Sequence, residues 1–113
     1  MKVTQSALLN SGQTAEAKKL GAALARLRIA RSMKQDQAAL RAGLSRNTAY
    51  RMEKGDPGIA MGQVLRYLEA IVPGKTLLEL LSETDPALAA LSAKEQRRRA
   101  RDLSKRELEE IDF

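Results

Sequence analysis

The stretch "DQAALRAGLSRNTAYRMEKG", residues 36–55, decides how this chain folds. Most of its residues favour helix, yet Gly43 and Ser45 interrupt it midway. A glycine inside a helix costs about 1 kcal/mol relative to alanine, and a serine is better placed at a helix start than within one. The stretch therefore predicts two short helices, Gln35–Ala42 and Arg46–Glu53, separated by a tight turn. Gly43 supplies the positive φ that a helix C-terminus commonly needs. Leu44 then points back into the core, and Ser45 caps the second helix. Ala38, Ala39 and Ala42 give the first helix a small-residue face, and Ala49 and Met52 give the second a matching one. Two such faces can cross closely, which leaves the other face of the second helix free to project Arg46, Asn47, Tyr50 and Arg51.

Working outward, residues 1–13 are polar and lack helical periodicity, so they are expected to form a loose arm. From Thr14 the pattern is helical, with Leu20, Leu24 and Leu27 at i, i+4 and i+7 on one face. Lys18, Lys19, Arg26 and Arg31 lie largely off that face, and Ser32, Met33 and Lys34 break the run. "KGDPG", residues 54–58, is a turn cluster. Met61–Ile71 is the fourth predicted helix, with Val64, Leu65, Leu68 and Ile71 inward. Val72, Pro73 and Gly74 end it, and Thr76 begins a short fifth helix, "TLLELL". Alternation of the strand type is absent, and Ala, Leu, Arg, Lys, Glu and Gln dominate, so the chain is expected to be all-α. Residues 14–82 form the expected domain, and 83–113 a helical extension for dimerisation or partner docking.

Composition narrows the function classes. The 113 residues suit one small domain with an appendage. Cysteine and histidine are both absent, which removes disulfides, thiolate chemistry, most transition-metal sites and the commonest general base. Glu107, Glu109 and Glu110 cluster among Lys105 and Arg106 on a predicted exposed helix and form no acid/base pair. No glycine-rich phosphate loop appears either, so neither enzymatic activity, a metal nor a cofactor is expected. No stretch resembles a signal peptide or a membrane span, which points to the cytoplasm. The net charge of +6 is unevenly placed: residues 1–55 carry 11 Lys/Arg against 3 Asp/Glu, whereas 56–113 carry 9 against 11. A basic half beside a mildly acidic one points to a polyanion-binding module, with a solubilising surface as the plainer alternative.

Two short helices about a tight turn, the second presenting a polar face, have the layout of a helix-turn-helix whose second helix enters the DNA major groove. The spacing makes the resemblance specific. Gln35 is followed by Ala39, Gly43 and Ala49, the second helix opens Ser45-Arg46, and the segment ends Glu53-Lys54-Gly55. Over roughly residues 20–81 this resembles the Xre-like helix-turn-helix family. That family includes phage repressors, Cro proteins, many bacterial regulators and antitoxins paired with kinase-type toxins. Lys34 departs from it, standing where members usually carry a Ser or Thr cap. Gly62 loosely resembles the antitoxin-like branch.

The resemblance implies a five-helix, lambda-repressor-like DNA-binding domain with a short helical C-terminal extension. It implies that Gln35 bonds a DNA phosphate from a helix N-terminus. Arg46, Asn47 and Arg51 would reach base edges, with Tyr50 either beside them or covering the seam between the third and fourth helices. Thr48 would touch phosphate or a thymine methyl, Ser45 would join the phosphate set, and Lys54 would hold the backbone on the far side. Arg28 and Glu53 match a structural ion pair between the first and third helices. The plainer alternatives are solvated charges at Arg46, Arg51 and Arg41 and an ordinary first-turn residue at Gln35.

The implied function is a sequence-specific double-stranded DNA-binding regulator, a repressor acting as a homodimer on an inverted repeat. Leu77, Leu80, Leu81 and Leu88 are the expected dimer contacts. The alternative is an antitoxin that autoregulates its operon and binds a toxin through the C-terminal segment; a third class is a module binding RNA or acidic protein. In the extension, Asp85-Pro86 is expected to start a short helix carrying Leu88 and Leu91. Ser92-x-x-Glu95 and Ser104-x-x-Glu107 are capping-box patterns, which predict separate helices over 93–102 and 105–110. Arg97, Arg98, Arg99 and Arg101 make the first of these almost wholly polar. Leu103, Leu108, Ile111 and Phe113 are apolar anchors of the extension as a whole, and a frayed, solvated tail is the plain alternative.

Overall fold

The computed structural model describes residues 4–82 and 86–111, with the side chains of 86 and 107–111 outside the description. Every regular element among these residues is a helix. They are α1 (Gln5–Leu8), α2 (Ser11–Ala30), α3 (Gln35–Ala42), α4 (Arg46–Glu53), α5 (Met61–Ile71), α6 (Leu77–Leu81) and α7 (Pro86–Ile111).

The helix ends follow local chemistry. α2 begins at Ser11, upstream of the expected Thr14, because Asn10 and Gln13 close a capping box. The Asn10 side chain accepts from the Gln13 N–H at 2.8 Å, and the Asn10 N–H donates to the Gln13 side chain at 3.1 Å. Together with the single turn of α1, this makes much of the expected loose arm helical; residues 1–3 lie outside the described residues. Lys34 has no side-chain acceptor with which to cap α3, and Gln37 supplies the reverse half, accepting from the Lys34 N–H at 3.0 Å. Gly43 adopts φ 69°, ψ 33°. The Leu44 N–H donates to the Ala39 carbonyl at 2.9 Å and the Gly43 N–H to that of Leu40 at 3.2 Å, the paired bonds of a Schellman turn. Ser45 accepts from the Thr48 N–H at 3.0 Å and starts α4. At the start of α6, Thr76 accepts from the Glu79 N–H at 3.2 Å.

The core joins Leu24 and Leu27 of α2, Ala38, Ala39 and Ala42 of α3, and Ala49 and Met52 of α4. Val64, Tyr67, Leu68 and Ile71 of α5 complete it, with Val72 and Leu80. α3 packs on both α4 and α5, and α2 packs on α4. α2 meets the end of α4 backbone to backbone. A Cβ added at Gly21 would lie 2.5 Å from the Met52 carbonyl oxygen and 2.6 Å from the Gly55 nitrogen.

Three expectations are corrected here. Leu65 is 48% exposed, while Tyr67 takes the inward place, because the buried line of α5 runs through 64, 67, 68 and 71. Leu80 is only 2% exposed within its own protomer, so it belongs to the core and has no surface to offer a second copy. The extension is one continuous helix, α7, in place of several short ones. Ser92 and Ser104 sit inside it among Ala, Leu, Lys, Gln and Arg, whose helix propensity carries the chain through. Phe113 lies outside the described residues. No helix among the described residues is long and apolar enough to cross a membrane.

Candidate nucleic-acid interface

α4 has two faces of opposite character. Ala49 and Met52 are buried at 0% and 3%, while Arg46, Asn47, Tyr50 and Arg51 are exposed. Ala49 and the buried alanines of α3 are small, so α4 sits closely on α3 with its polar face outward. Arg46 occupies the first turn of α4, which has no acidic residue. A cation there opposes the helix dipole, so folding gains nothing from it. Among the described residues, neither Arg46 nor Asn47 makes a side-chain hydrogen bond, which leaves the donors of both turned outward.

The other positions are held from within. The Arg51 Nε donates to Asp56 Oδ2 at 2.7 Å, and Asp56 Oδ1 accepts from the Gly58 N–H at 2.8 Å. The Gly58 N–H, then Arg51, hold the Asp56 carboxyl below its ordinary range. Arg51 is thus tied to the turn after α4, with its terminal nitrogens remaining for other partners. Lys54 places its ammonium 5.5 Å from the centre of the Tyr50 ring, a cation–π arrangement that keeps both at the C-terminal end of α4. The Ser45 and Thr48 hydroxyls lie 2.8 Å apart in one hydrogen bond.

Behind α4 stands a polar junction that joins four helices. Arg28 of α2 meets Glu53 of α4 in two parallel bonds, Nε to Oε2 at 2.7 Å and Nη2 to Oε1 at 2.9 Å. Their side chains are 14% and 6% exposed. Arg28 also donates to the Met33 carbonyl at 2.8 Å, which secures the chain between α2 and α3. The Tyr67 hydroxyl of α5 donates to Glu53 Oε2, and the Gln35 side-chain amide of α3 donates to Glu53 Oε1 at 3.0 Å. Burial alone pushes the Glu53 carboxyl up. The hydrogen bonds from Arg28 and Tyr67, the Arg28 charge and the bond from Gln35 outweigh that and hold it below the ordinary range. Burial, then the Glu53 hydrogen bond, pushes the Tyr67 hydroxyl up. Gln35 therefore stands at the first turn of α3 with one amide N–H committed to Glu53 and a second left over.

The structure thus gathers Arg46, Asn47, Tyr50, Arg51 and Lys54 onto α4 and its C-terminal end, and draws Gln35, Arg28 and Glu53 into one network. Of the four leucines expected at a dimer contact, Leu81 is 61% exposed, Leu77 and Leu88 pack partly against the core and Leu80 is within it. Three features escaped the sequence: the Asp56 tether of Arg51, the Tyr67 arm of the Glu53 junction and the Gly21–Gly55 contact. An acidic residue five positions after an arginine across a turn is a weak signal, and nothing local marks a tyrosine fourteen residues away.

A glycine-turned helix pair, buried on one side and presenting arginine and asparagine on the other, defines a DNA-binding protein of the helix-turn-helix class. The family model described as a helix-turn-helix domain matches residues 19–80, and the chain belongs to that family. Comparison with curated proteins and with solved structures returns no match.

Proposed function

We propose that the protein is a sequence-specific, double-stranded DNA-binding transcriptional repressor of the Xre-like branch, acting as a homodimer on an inverted repeat. The observation that carries this reading is the polar face of α4, where Arg46 and Asn47 are exposed and, among the described residues, make no side-chain hydrogen bond. Arginine can pair bidentately with guanine, and asparagine with adenine, in the major groove. Tyr50 and Arg51 extend the same face, with Arg51 as an adjustable reader because Asp56 holds it in the free protein. Gln35, Ser45, Thr48 and Lys54 contact phosphates on either side. The Gln-Ala-Gly-Ala spacing and the Arg28–Glu53 pair support the Xre-like branch.

For the dimer, Leu78 and Leu81 of α6 are 79% and 61% exposed, and with Leu77 and Leu88 they offer an apolar contact beside the domain. Two recognition helices related by a two-fold axis then sit about 34 Å apart, one turn of B-DNA. The antitoxin alternative places a toxin on α7 and is tested by co-purification with the product of an adjacent gene. Selection of bound sites from random duplex DNA, followed by footprinting, tests the main proposal. An enriched inverted repeat protected on one face supports it, and a pool that never enriches contradicts it.

A further inference from the structure

α7 carries an exposed charge stripe that no ion pair among the described residues engages. Its first turns are docked: Leu88 packs against the core, and Ser92 and Glu95 hold Arg26 of α2, with Arg26 Nη2 at 3.2 Å from the Ser92 hydroxyl and 2.5 Å from Glu95 Oε1. Residues 88, 92 and 95 follow one another at i, i+4 and i+7, a single helical stripe. Lys94, Arg97, Arg98, Arg101 and Lys105 stand at i, i+3, i+4, i+7 and i+11, a second stripe turned about 130° from the first at 3.6 residues per turn. All five are exposed. Among the described residues none of them enters an ion pair. Asp102 falls between the two stripes, and Glu107, Glu109 and Glu110 come only after Lys105.

Within the stripe, 94 and 98, 97 and 101, and 101 and 105 are like charges at i, i+4, a spacing that destabilises a helix. Among the described residues no ion pair relieves that repulsion. The ridge spans about 16 Å, with roughly one turn per 5.4 Å, and its complement is a linear row of negative charge.

We infer that this stripe lies along the sugar-phosphate backbone of the duplex held by α4, as a second, sequence-independent clamp outside the recognition site. The inference rests on the DNA-binding reading of α4. Direction supports it. Leu88 lies beside Ala23 in a small cavity also lined by Leu80 and Arg26, and Ser92 and Glu95 meet Arg26 further along. α7 therefore runs the same way as α2 and continues past its C-terminal end. From that end the chain turns into α3, with Gln35 in its first turn. B-DNA offers one negative charge per about 1.7 Å of axis, so a ridge of five cations finds several phosphates within its length.

The test is a salt titration on random-sequence duplex and on the selected site. Arg97→Gln/Arg98→Gln/Arg101→Gln keeps good helix formers and removes three charges. It should reduce the slope of log K against log salt by about 2 to 3 on both duplexes, with the ratio between them unchanged. Arg97→Lys/Arg98→Lys/Arg101→Lys should retain the full slope. Lys19→Gln/Arg41→Gln/Arg66→Gln, an equal charge loss elsewhere, should leave it close to the parent. Circular dichroism checks that each variant keeps its helix.

A parent slope in the Gln variant, while Arg46→Ala still loses the selected site, overturns the clamp and spares α4. So does a slope lost equally in the Lys variant or in the distant control. A parent protein that binds no duplex overturns both. If the Gln variant keeps its duplex slope but loses binding to polyglutamate that the parent shows, the stripe belongs to an acidic protein partner and the inference fails.

Discussion

At the scale of single residues, the sharpest contrast is between Arg46 and Arg51, which share a chemistry and a helix face. Among the described residues Arg46 has no ion-pair partner, and it opposes the dipole of α4, whereas Arg51 is tied to Asp56 by a 2.7 Å contact. Exposed pairs of this kind are worth only about 0–1 kcal/mol, so the tether steers Arg51 more than it stabilises the fold. Arg51→Ala should therefore cost less on the selected site than Arg46→Ala, and Asp56→Asn, which frees Arg51, should strengthen binding to any duplex. Equilibrium binding of the three variants checks the order. Glu53 is the opposite kind of residue, with its charge spent inside. Glu53→Ala strands the Arg28 guanidinium, and breaking a buried pair in this way costs about 3–5 kcal/mol. Because the folded carboxyl titrates below its unfolded value of about 4.3, its contribution is fully present above that pH. It is lost as pH falls through the folded value. The stability gap between the parent and Glu53→Gln should accordingly be widest near neutrality and narrow below about pH 4. Chemical denaturation across that range measures it, and a constant gap would mean that Glu53 gains nothing from its partners. Ser32, a non-glycine residue at φ 55°, ends α2 in a left-handed turn. Ser32→Gly should raise stability by about 1 kcal/mol, the order of the strain an L-residue carries there, read as an upward shift of the melting midpoint.

At the scale of elements, two glycine contacts set how the helices meet. Gly43→Val puts a β-branched residue in a left-handed turn and should cost a kcal/mol or more. Gly21→Ala pushes a Cβ against the Met52 carbonyl and the Gly55 nitrogen, so α2 and α4 must separate. Overpacking of this kind costs about 1–3 kcal/mol, and the variant's thermal melt should fall accordingly. The turn at Gly43 was legible because glycine, the following leucine and a serine cap are local signals read within three residues. α3, α4 and α5 were legible for the same reason: each is bounded by its own cap or breaker. Gly21 was not, since a glycine in mid-helix shows its purpose only when the partner backbone is in place. Leu65 and Tyr67 exchanged expected places because the inward line of α5 is fixed by what α3 presents, and Tyr67 is drawn in by a carboxylate on another helix. α7 misled because Ser-x-x-Glu marks a helix start only where the preceding chain is not already helical. The polar face of α4 was fully visible from the alternation of small and polar residues, while the tethering of Arg51 depended on how the turn after it folds.

At the scale of the whole molecule, the buried junction at Glu53 ties the domain together, while the fold leaves two surfaces exposed, the apolar one at Leu78 and Leu81 of α6 and the polar one on α4. Leu78→Lys/Leu81→Lys should abolish a two-fold dimer without unfolding the protomer, since both side chains are exposed. Sedimentation at micromolar concentration checks this, and a parent protein that is already monomeric there contradicts the dimer. Lys54→Ala, at the end of α4, should weaken all duplexes alike and lower the salt slope by about one. The claim that α4 reads bases is met most directly by one paired measurement: the affinity of the parent, Arg46→Ala and Asn47→Ala for the selected site and for its scrambled duplex. Each variant should lose about 1–3 kcal/mol on the selected site and relax preference at one base position, with scrambled binding by Asn47→Ala unchanged. Equal losses on the selected and scrambled duplexes would contradict it.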